Sequence, residues 1–510
     1  MSSKLYTMLN QLKSKLNQTQ ILVGRALIGH SNGVREGRNY CTSGKKDTLY
    51  NKVSPLGNPR IAIKPELDNW VDNGNKVCFG ELQRIILDLR KRKRFSHALE
   101  VSEWIYAKGL FKFTSTEHAV QLDLIGRVHG FLSAENYFNS LQDADKNNKT
   151  YGALLNCYVR QRQVDKALAH FEKMKEMGFA STTLTYNDIM CLYSNIGKYD
   201  KVPDVLAEMK KNKLLPDNYS YRLCINSYGG RSDIEAVENC LKEAETQPHM
   251  AVDWNTYAVA ANFYIKENLF DKAVYALKKA EVRLDDKDNV GYSFLISLYA
   301  KLGKKDEILK LWELEKNIGR KCINRDFITL LESLVKVGAL EEAETVLKEW
   351  ESSNNVYDYR VPNVVILGYL NRGLAEKGEV MLNELLEKGR PCHPNSWSIL
   401  AGFYQAKGEM HKAMSCMRVA LSFYVPKGWR PYNQIINDLL SWVGDYGSLE
   451  EAESFVGLLR NVNPVNRPMY HALMKAYIRN GKNVDGLLEK MKADKLSEDE
   501  KTKMILSSIP

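Results

Sequence analysis

A period of 35 residues constrains this chain more than any other feature. Aromatic residues recur at Tyr151, Tyr186, Tyr221, Tyr257, Tyr292 and Phe327, then at Trp397, Tyr432 and Tyr470, most steps being 35 residues or a multiple of it. A glycine stands eleven positions after several of them, at Gly197, Gly303, Gly338, Gly408 and Gly481, with Gly373 in the same phase. Alanines at Ala98, Ala167, Ala273, Ala343 and Ala413 keep a third register. Three residue types holding one period mark an array of supersecondary units.

The stretch Thr183 to Asp217 shows what one unit must be. Tyr186, Ile189, Met190 and Tyr193 fall at helical spacing, and Gly197 supplies the left-handed residue that ends a helix. Val202, Val205, Leu206 and Met209 form a second apolar stripe, with Pro216 as its stop. So short a helical hairpin cannot bury its apolar face alone; stacked neighbours complete the core, giving a superhelical solenoid with a continuous groove.

Composition excludes other classes. At 44% hydrophobic residues no stretch approaches the roughly 20 apolar positions of a membrane helix, so no membrane insertion is expected. The nine cysteines show no CxxC pair and no zinc-type spacing with histidine; Cys157, Cys191 and Cys224 fall on successive first helices and read as buried free thiols. No metal and no cofactor is expected. The net charge of +10 suits a polyanionic partner or a basic targeting segment.

Part of that charge sits at the start. The first 35 residues lack Asp and Glu but carry Lys4, Lys13, Lys15, Arg25 and Arg35 beside the stripe Leu5, Met8, Leu9, Leu12 and Leu16. This is the pattern of an organellar presequence, expected over residues 1–46. Arg38 ahead of Asn39 to Ser43 resembles a mitochondrial processing site, which favours the mitochondrion, with plastid or dual targeting as the alternative. Residues 47 to about 63 read as a linker, and Pro65 opens a helix through Leu67, Trp70 and Val71 that ends at Gly74 and caps the array. Linker and capping helix together span 47–78, repeats run from 79 to 501 with a degenerate second unit and extra residues around Val443 to Gly447, and a polar tail spans 502–510.

At TYNDIM, LYSNIGKYDKV and LAEMKKNKLLPD the unit resembles the pentatricopeptide repeat of the pure (P-class) type found in organelle-targeted plant proteins. The resemblance implies an all-α, right-handed superhelical solenoid of about 11–12 helix-turn-helix repeats of about 35 residues. It also implies single-stranded organellar RNA in the groove, about one base per repeat. In the family the residue after the repeat's aromatic and the last residue of the repeat read the base. On that rule Asn187 with Asp217 matches the pairing for uridine, and Asn433 with Asn466 suggests a pyrimidine, cytidine by preference. Gly152/Thr182, Arg222/Asp253, Ala258/Asp288, Ser293/Ile323, Ile328/Asp358, Asn363/His393 and Ser398/Gly428 depart from the pattern. Leu184, Tyr219 and Val290 are the apolar or aromatic residues at the position that packs on a base, while Asn255, Arg325, Arg360, Asn395 and Arg430 are polar there.

A cation recurs near the end of the first helix at Lys91, Arg160, Lys266, Lys301, Lys336 and Arg479, interrupted at Asn195 and Asn371. Such a stripe can track phosphates; its competing role is to offset the helix macrodipole, for about 0.3 to 1 kcal/mol each. The run Arg90 to Arg94 sits between two helices, where a structural turn or a phosphate contact outweighs a nuclear signal. Without a P-loop, dinucleotide turn or nucleophile elbow, no enzymatic activity is expected. The expected function is an RNA-binding adaptor in mitochondrial RNA metabolism: stabilisation, processing, editing support or translation, beside other RNA-processing proteins. The alternative is a non-catalytic scaffold, such as a mitochondrial ribosome constituent that binds protein or ribosomal RNA, with Trp254, Trp312, Trp350, Trp397 and Trp442 as candidate anchors.

Overall fold

The 35-residue period becomes a succession of helix pairs. A computed structural model describes residues 48–58, 61–285, 289–319, 321–353, 355–423 and 428–508. The expected presequence, 1–46, lies outside them. First helices begin at Phe79, Ser115, Asn148, Thr183, Asn218, Trp254, Asn289, Asn324, Arg360, Pro394, Asn433 and Arg467, and each is followed by a second helix. The fold is an all-α solenoid of helix-turn-helix repeats. The described residues form two compact units, one ending at Asp285 and the other starting after it. Within each unit a first helix packs on its own second helix and on the first helices of adjacent repeats.

The Thr183 repeat shows how sequence sets this geometry. In its first helix, Thr183–Asn195, Tyr186, Ile189 and Met190 are buried; in its second, Lys201–Lys211, Val202, Val205, Leu206 and Met209 are buried. Each such side chain stabilises the fold by about 1.5 to 3 kcal/mol. Gly197 takes φ +76° between the two helices, as the sequence requires. The second helix ends earlier than Pro216 suggests. Lys213 adopts φ +57°, and Leu214 N–H returns to the Met209 carbonyl at 3.1 Å, so the chain has turned before the proline.

The recurring tyrosine does two jobs. Its ring fills the core, and its hydroxyl reaches the far end of a second helix: that of its own repeat for Tyr221, which donates to Glu243 at 2.8 Å, and for Tyr470, which donates to Asp494 at 2.6 Å, and that of the preceding repeat for Tyr257, which donates to Glu245 at 3.0 Å. A second tyrosine, seven residues on, ties consecutive repeats together. Tyr158 donates to Glu135 at 2.7 Å and Tyr477 to Glu453 at 2.6 Å, and Tyr369 and Tyr404 bond Glu344 and Glu379 in the same way.

Four expectations need correction. The linker over 47–63 contains the helix Leu49–Val53, whose Leu49 and Val53 are buried. It is held by Arg94, which donates to the Ser54 and Leu56 carbonyls. The second repeat is a regular pair, Ser115–Val128 and Phe131–Ser140, with buried His118 in the place of the aromatic. The extra residues of the long repeat precede its first helix, Asn433–Asp445, instead of lying at Val443 to Gly447. There Tyr432 is exposed and Ile436 fills the aromatic's core position. The polar tail carries the helix Glu500–Leu506, which docks Thr502 and Ile505 against the last first helix, with His471 Nε2 2.9 Å from Thr502 Oγ1.

Candidate nucleic-acid interface

The fifth residue of a first helix meets the N-cap of the next one. Asp217 caps the helix Asn218–Gly230 by accepting from Ser220 N–H at 2.8 Å. The same oxygen accepts from Asn187 Nδ2 at 3.1 Å, and Ser220 Oγ donates to Asn187 Oδ1 at 2.7 Å. Asn187 is only 2% exposed, so its amide is held in one orientation, while Asp217 stays exposed with its second oxygen outside this network. Asn187 and Asp217, separated by 30 residues in sequence, are thus one unit with hydrogen-bonding capacity left on one carboxylate edge.

The next repeat repeats the plan with a different side chain. Asp253 caps Trp254–Lys266, its Oδ1 accepting from Thr256 N–H at 2.8 Å and Thr256 Oγ at 2.6 Å, and its Oδ2 pairs with Arg222 Nη1 at 2.6 Å. Arg222 also lies 5.5 Å from the Tyr219 ring. Asn363 likewise accepts from Ser396 Oγ of the following helix. At the same position Gly152, Ala258 and Ile328 offer no side-chain hydrogen bond.

Asn433 does not occupy this place. It is the first residue of its helix, and the fifth is Asn437, which is exposed. The aromatic at Tyr432 misleads because the core accepts Ile436 instead. Asn466 does cap its helix, accepting from Met469 N–H at 3.3 Å, so the corrected combination is Asn437 with Asn466.

Leu184, Tyr219 and Val290 are each the second residue of a first helix and are 67%, 42% and 59% exposed. Large apolar side chains left this open within a repeat are available to a flat ligand. Tyr219 Oη lies 3.8 Å from Cys191 Sγ, which is half-buried, unlike the buried Cys157 and Cys224. Two of the polar residues in this phase serve the fold: Arg360 is clasped by Asp358 at 2.6 Å, and Asn395 accepts from Trp429 Nε1 at 3.2 Å.

The cation stripe divides into two kinds. Arg160 pairs with Asp123 at 2.8 Å, and Arg479 donates from Nε to the Gly444 carbonyl at 3.0 Å and from Nη2 to that of Gly447. These two neutralise a carboxylate or cap a helix end. Lys91, Lys266, Lys301 and Lys336 are exposed. Arg127, in the second repeat, has the same phase and also pairs with Asp123, at 3.0 Å; the lost aromatic hid it from the sequence. Arg90 joins them at 3.0 Å, and hydrogen bonds and charge from Arg160 and Arg127 hold the Asp123 carboxyl below the usual range despite its burial. Of the basic run, Arg90, Arg92 and Arg94 therefore have structural partners, Arg92 pairing with Asp88 at 2.9 Å. Asp188, beside Asn187, is buried and accepts from Asn156 Nδ2 at 2.9 Å; burial pushes its carboxyl up to about 6. Trp312, Trp350 and Trp397 are core residues and leave no ring surface for a partner.

Two family profiles match the chain: one described as PPR repeat family, over residues 146–188 and 181–229, and one described as PPR repeat, over 290–314, 327–355 and 361–390. A mitochondrial pentatricopeptide repeat-containing protein of Arabidopsis thaliana is 55% identical over 92% of this chain and 96% of its own length. A second such protein of that plant is 36% identical over 81% of this chain and 84% of its own length. The large ribosomal subunit protein mL101 (rPPR4), also of Arabidopsis thaliana, is 30% identical over 91% of this chain and 95% of its own length. The crystal structure of the maize pentatricopeptide repeat protein PPR10 aligns with a TM-score of 0.47 at 18% identity, covering 96% of this chain and 70% of that one, a likeness too loose to carry an argument. Identity of this extent, over nearly the whole chain and on the same repeat, makes the chain a member of the pentatricopeptide repeat family.

Proposed function

We propose that the protein binds single-stranded RNA along its first helices and works in the mitochondrion as a non-catalytic adaptor in RNA metabolism. One observation carries the reading: the Asn187, Asp217 and Ser220 network holds an amide and a carboxylate in fixed orientation beside the exposed Leu184 and Tyr219. A fixed polar edge next to an apolar platform is what an unstacked base requires. The exposed lysines Lys91, Lys266 and Lys336 supply contacts to phosphate without choice of sequence. Asn187 with Asp217 selects uridine, and Asn437 with Asn466 a pyrimidine. Three relatives that carry "mitochondrial" in their names support the compartment.

A second reading, a ribosome constituent gripping ribosomal RNA or protein, is favoured by the mL101 relative and by the repeats whose fifth residue cannot bond a base. Binding of short single strands to the full chain separates the two. The first reading requires affinity that falls steeply with salt and a uridine preference that weakens by about 1 to 3 kcal/mol when Asn187 and Asp217 are both alanine. An unchanged binding profile in the double variant removes the site.

A further inference from the structure

We infer that Arg222 reads a guanine, so that the Thr183 and Asn218 repeats together select a uridine and a guanosine as neighbours. The inference rests on the RNA-binding reading above and assigns a base where the family's pairing rule is silent.

Arg222 holds in its helix the position Asn187 holds in the preceding one, and it is fixed by the same device. Both oxygens of Asp253 are engaged, one by Thr256 N–H and Oγ, the other by Arg222 Nη1 at 2.6 Å. The 3.4 Å approach of Nη1 to Thr256 Oγ1 orients the guanidinium further. One nitrogen of the fork is thereby committed, and its side chain is only 17% exposed, so the arginine cannot swing away as a surface cation would. Nε and Nη2 form the other edge of a planar donor pair, with the Tyr219 ring 5.5 Å from the guanidinium carbon.

This chemistry selects by what it lacks. Arginine has donors only, so the Nε/Nη2 edge that Asp253 leaves open presents donors alone to a base. The matching base must offer two adjacent acceptors, as guanine does with O6 and N7. Adenine places an amino donor beside N7, and uracil separates its two carbonyls by an N–H, so neither accepts both bonds. Cytosine pairs O2 with N3, but a pyrimidine covers less of the exposed Tyr219 face than a purine does.

The test is selection of RNA from a randomised pool by the full chain, repeated with Arg222→Lys and Arg222→Gln. The wild type should enrich a guanosine adjoining a uridine in one fixed order, and replacing that guanosine by adenosine should weaken binding about 5- to 150-fold. Inosine, which keeps O6 and N7, should bind as guanosine does, and 7-deazaguanosine should lose most of the preference. Arg222→Lys keeps the charge and the Asp253 partner but not the fork; it should retain overall affinity and lose the guanosine. A cytidine at that place, equal binding of 7-deazaguanosine, or an Arg222→Lys variant that still selects guanosine overturns the assignment while leaving RNA binding intact. A chain that enriches no RNA overturns both.

Discussion

Replacing Asp217 by alanine and, separately, by asparagine distinguishes the structural from the recognitive work of one carboxylate. Alanine removes the acceptor of Ser220 N–H at the start of Asn218–Gly230, a loss of about 0.5 to 2 kcal/mol for an N-cap. It also strands the Asn187 amide, 2% exposed, without its 3.1 Å acceptor, at about 1 to 3 kcal/mol. Together the change should cost about 1.5 to 5 kcal/mol, felt locally because stability in a repeat array is a sum of unit and interface terms. Amide hydrogen exchange in that helix should accelerate about 10- to 4,000-fold, at tenfold per 1.4 kcal/mol. Asparagine caps as well as aspartate and keeps an oxygen for Asn187, so it should stay within about 0.5 kcal/mol of wild type while shifting the preferred base away from uridine. Equal protection in the two variants, or an alanine cost below about 0.5 kcal/mol, would refute the shared-acceptor geometry.

Other expectations are independent of that site. Burial raises the Asp188 carboxyl to about 6 from an ordinary 3.8, so its stabilising neutral form is fully present below about pH 4 and is lost as pH rises through about 6; the difference corresponds to about 3 kcal/mol. Asp188→Asn, which keeps an oxygen for Asn156, should therefore stabilise the fold at pH 7 and flatten that pH window relative to wild type in urea titrations. Gly229→Ala should destabilise by about 1 to 3 kcal/mol because its Cβ would lie 2.3 Å from the Phe263 ring. Gly152→Ala, whose Cβ meets nothing within 4 Å, should instead gain up to about 1 kcal/mol, as seen by thermal melting. Lys91, Lys266 and Lys336 changed together to alanine should lower the salt slope of RNA binding by about 2, at about 0.7 per phosphate contact, whereas Arg479→Gln should lower stability and leave the slope unchanged.

The fold was largely legible because the period fixes where helices must end. Gly197, Gly303, Gly338, Gly373, Gly408 and Gly481 all take positive φ, as their spacing demands. Where a turn uses Lys213 or Arg162 in the left-handed region, no glycine marks it. The second repeat lost its signal when His118 replaced the aromatic, although the ring still packs against Phe113 and Tyr137. The long repeat misled for the opposite reason: Tyr432 supplied an aromatic that is exposed, while Ile436 does the burying, and the shift moved the assigned base reader from Asn437 to Asn433. The family's positions pointed to Asn187 and Asp217, which a hydrogen bond joins. The Ser220 hydroxyl that locks Asn187, and the ion pair with Asp253 that fixes Arg222, depend on the meeting of side chains some thirty residues apart and only three-dimensional packing reveals them.

Sequencing of RNA crosslinked to the tagged protein in isolated mitochondria decides whether RNA lies along the first helices with base choice at the Thr183 repeat. A narrow footprint in one or a few transcripts is expected, with a uridine at the Asn187 and Asp217 site that disperses when both are alanine. Reads dominated by ribosomal RNA, or a footprint indifferent to the double variant, would contradict it.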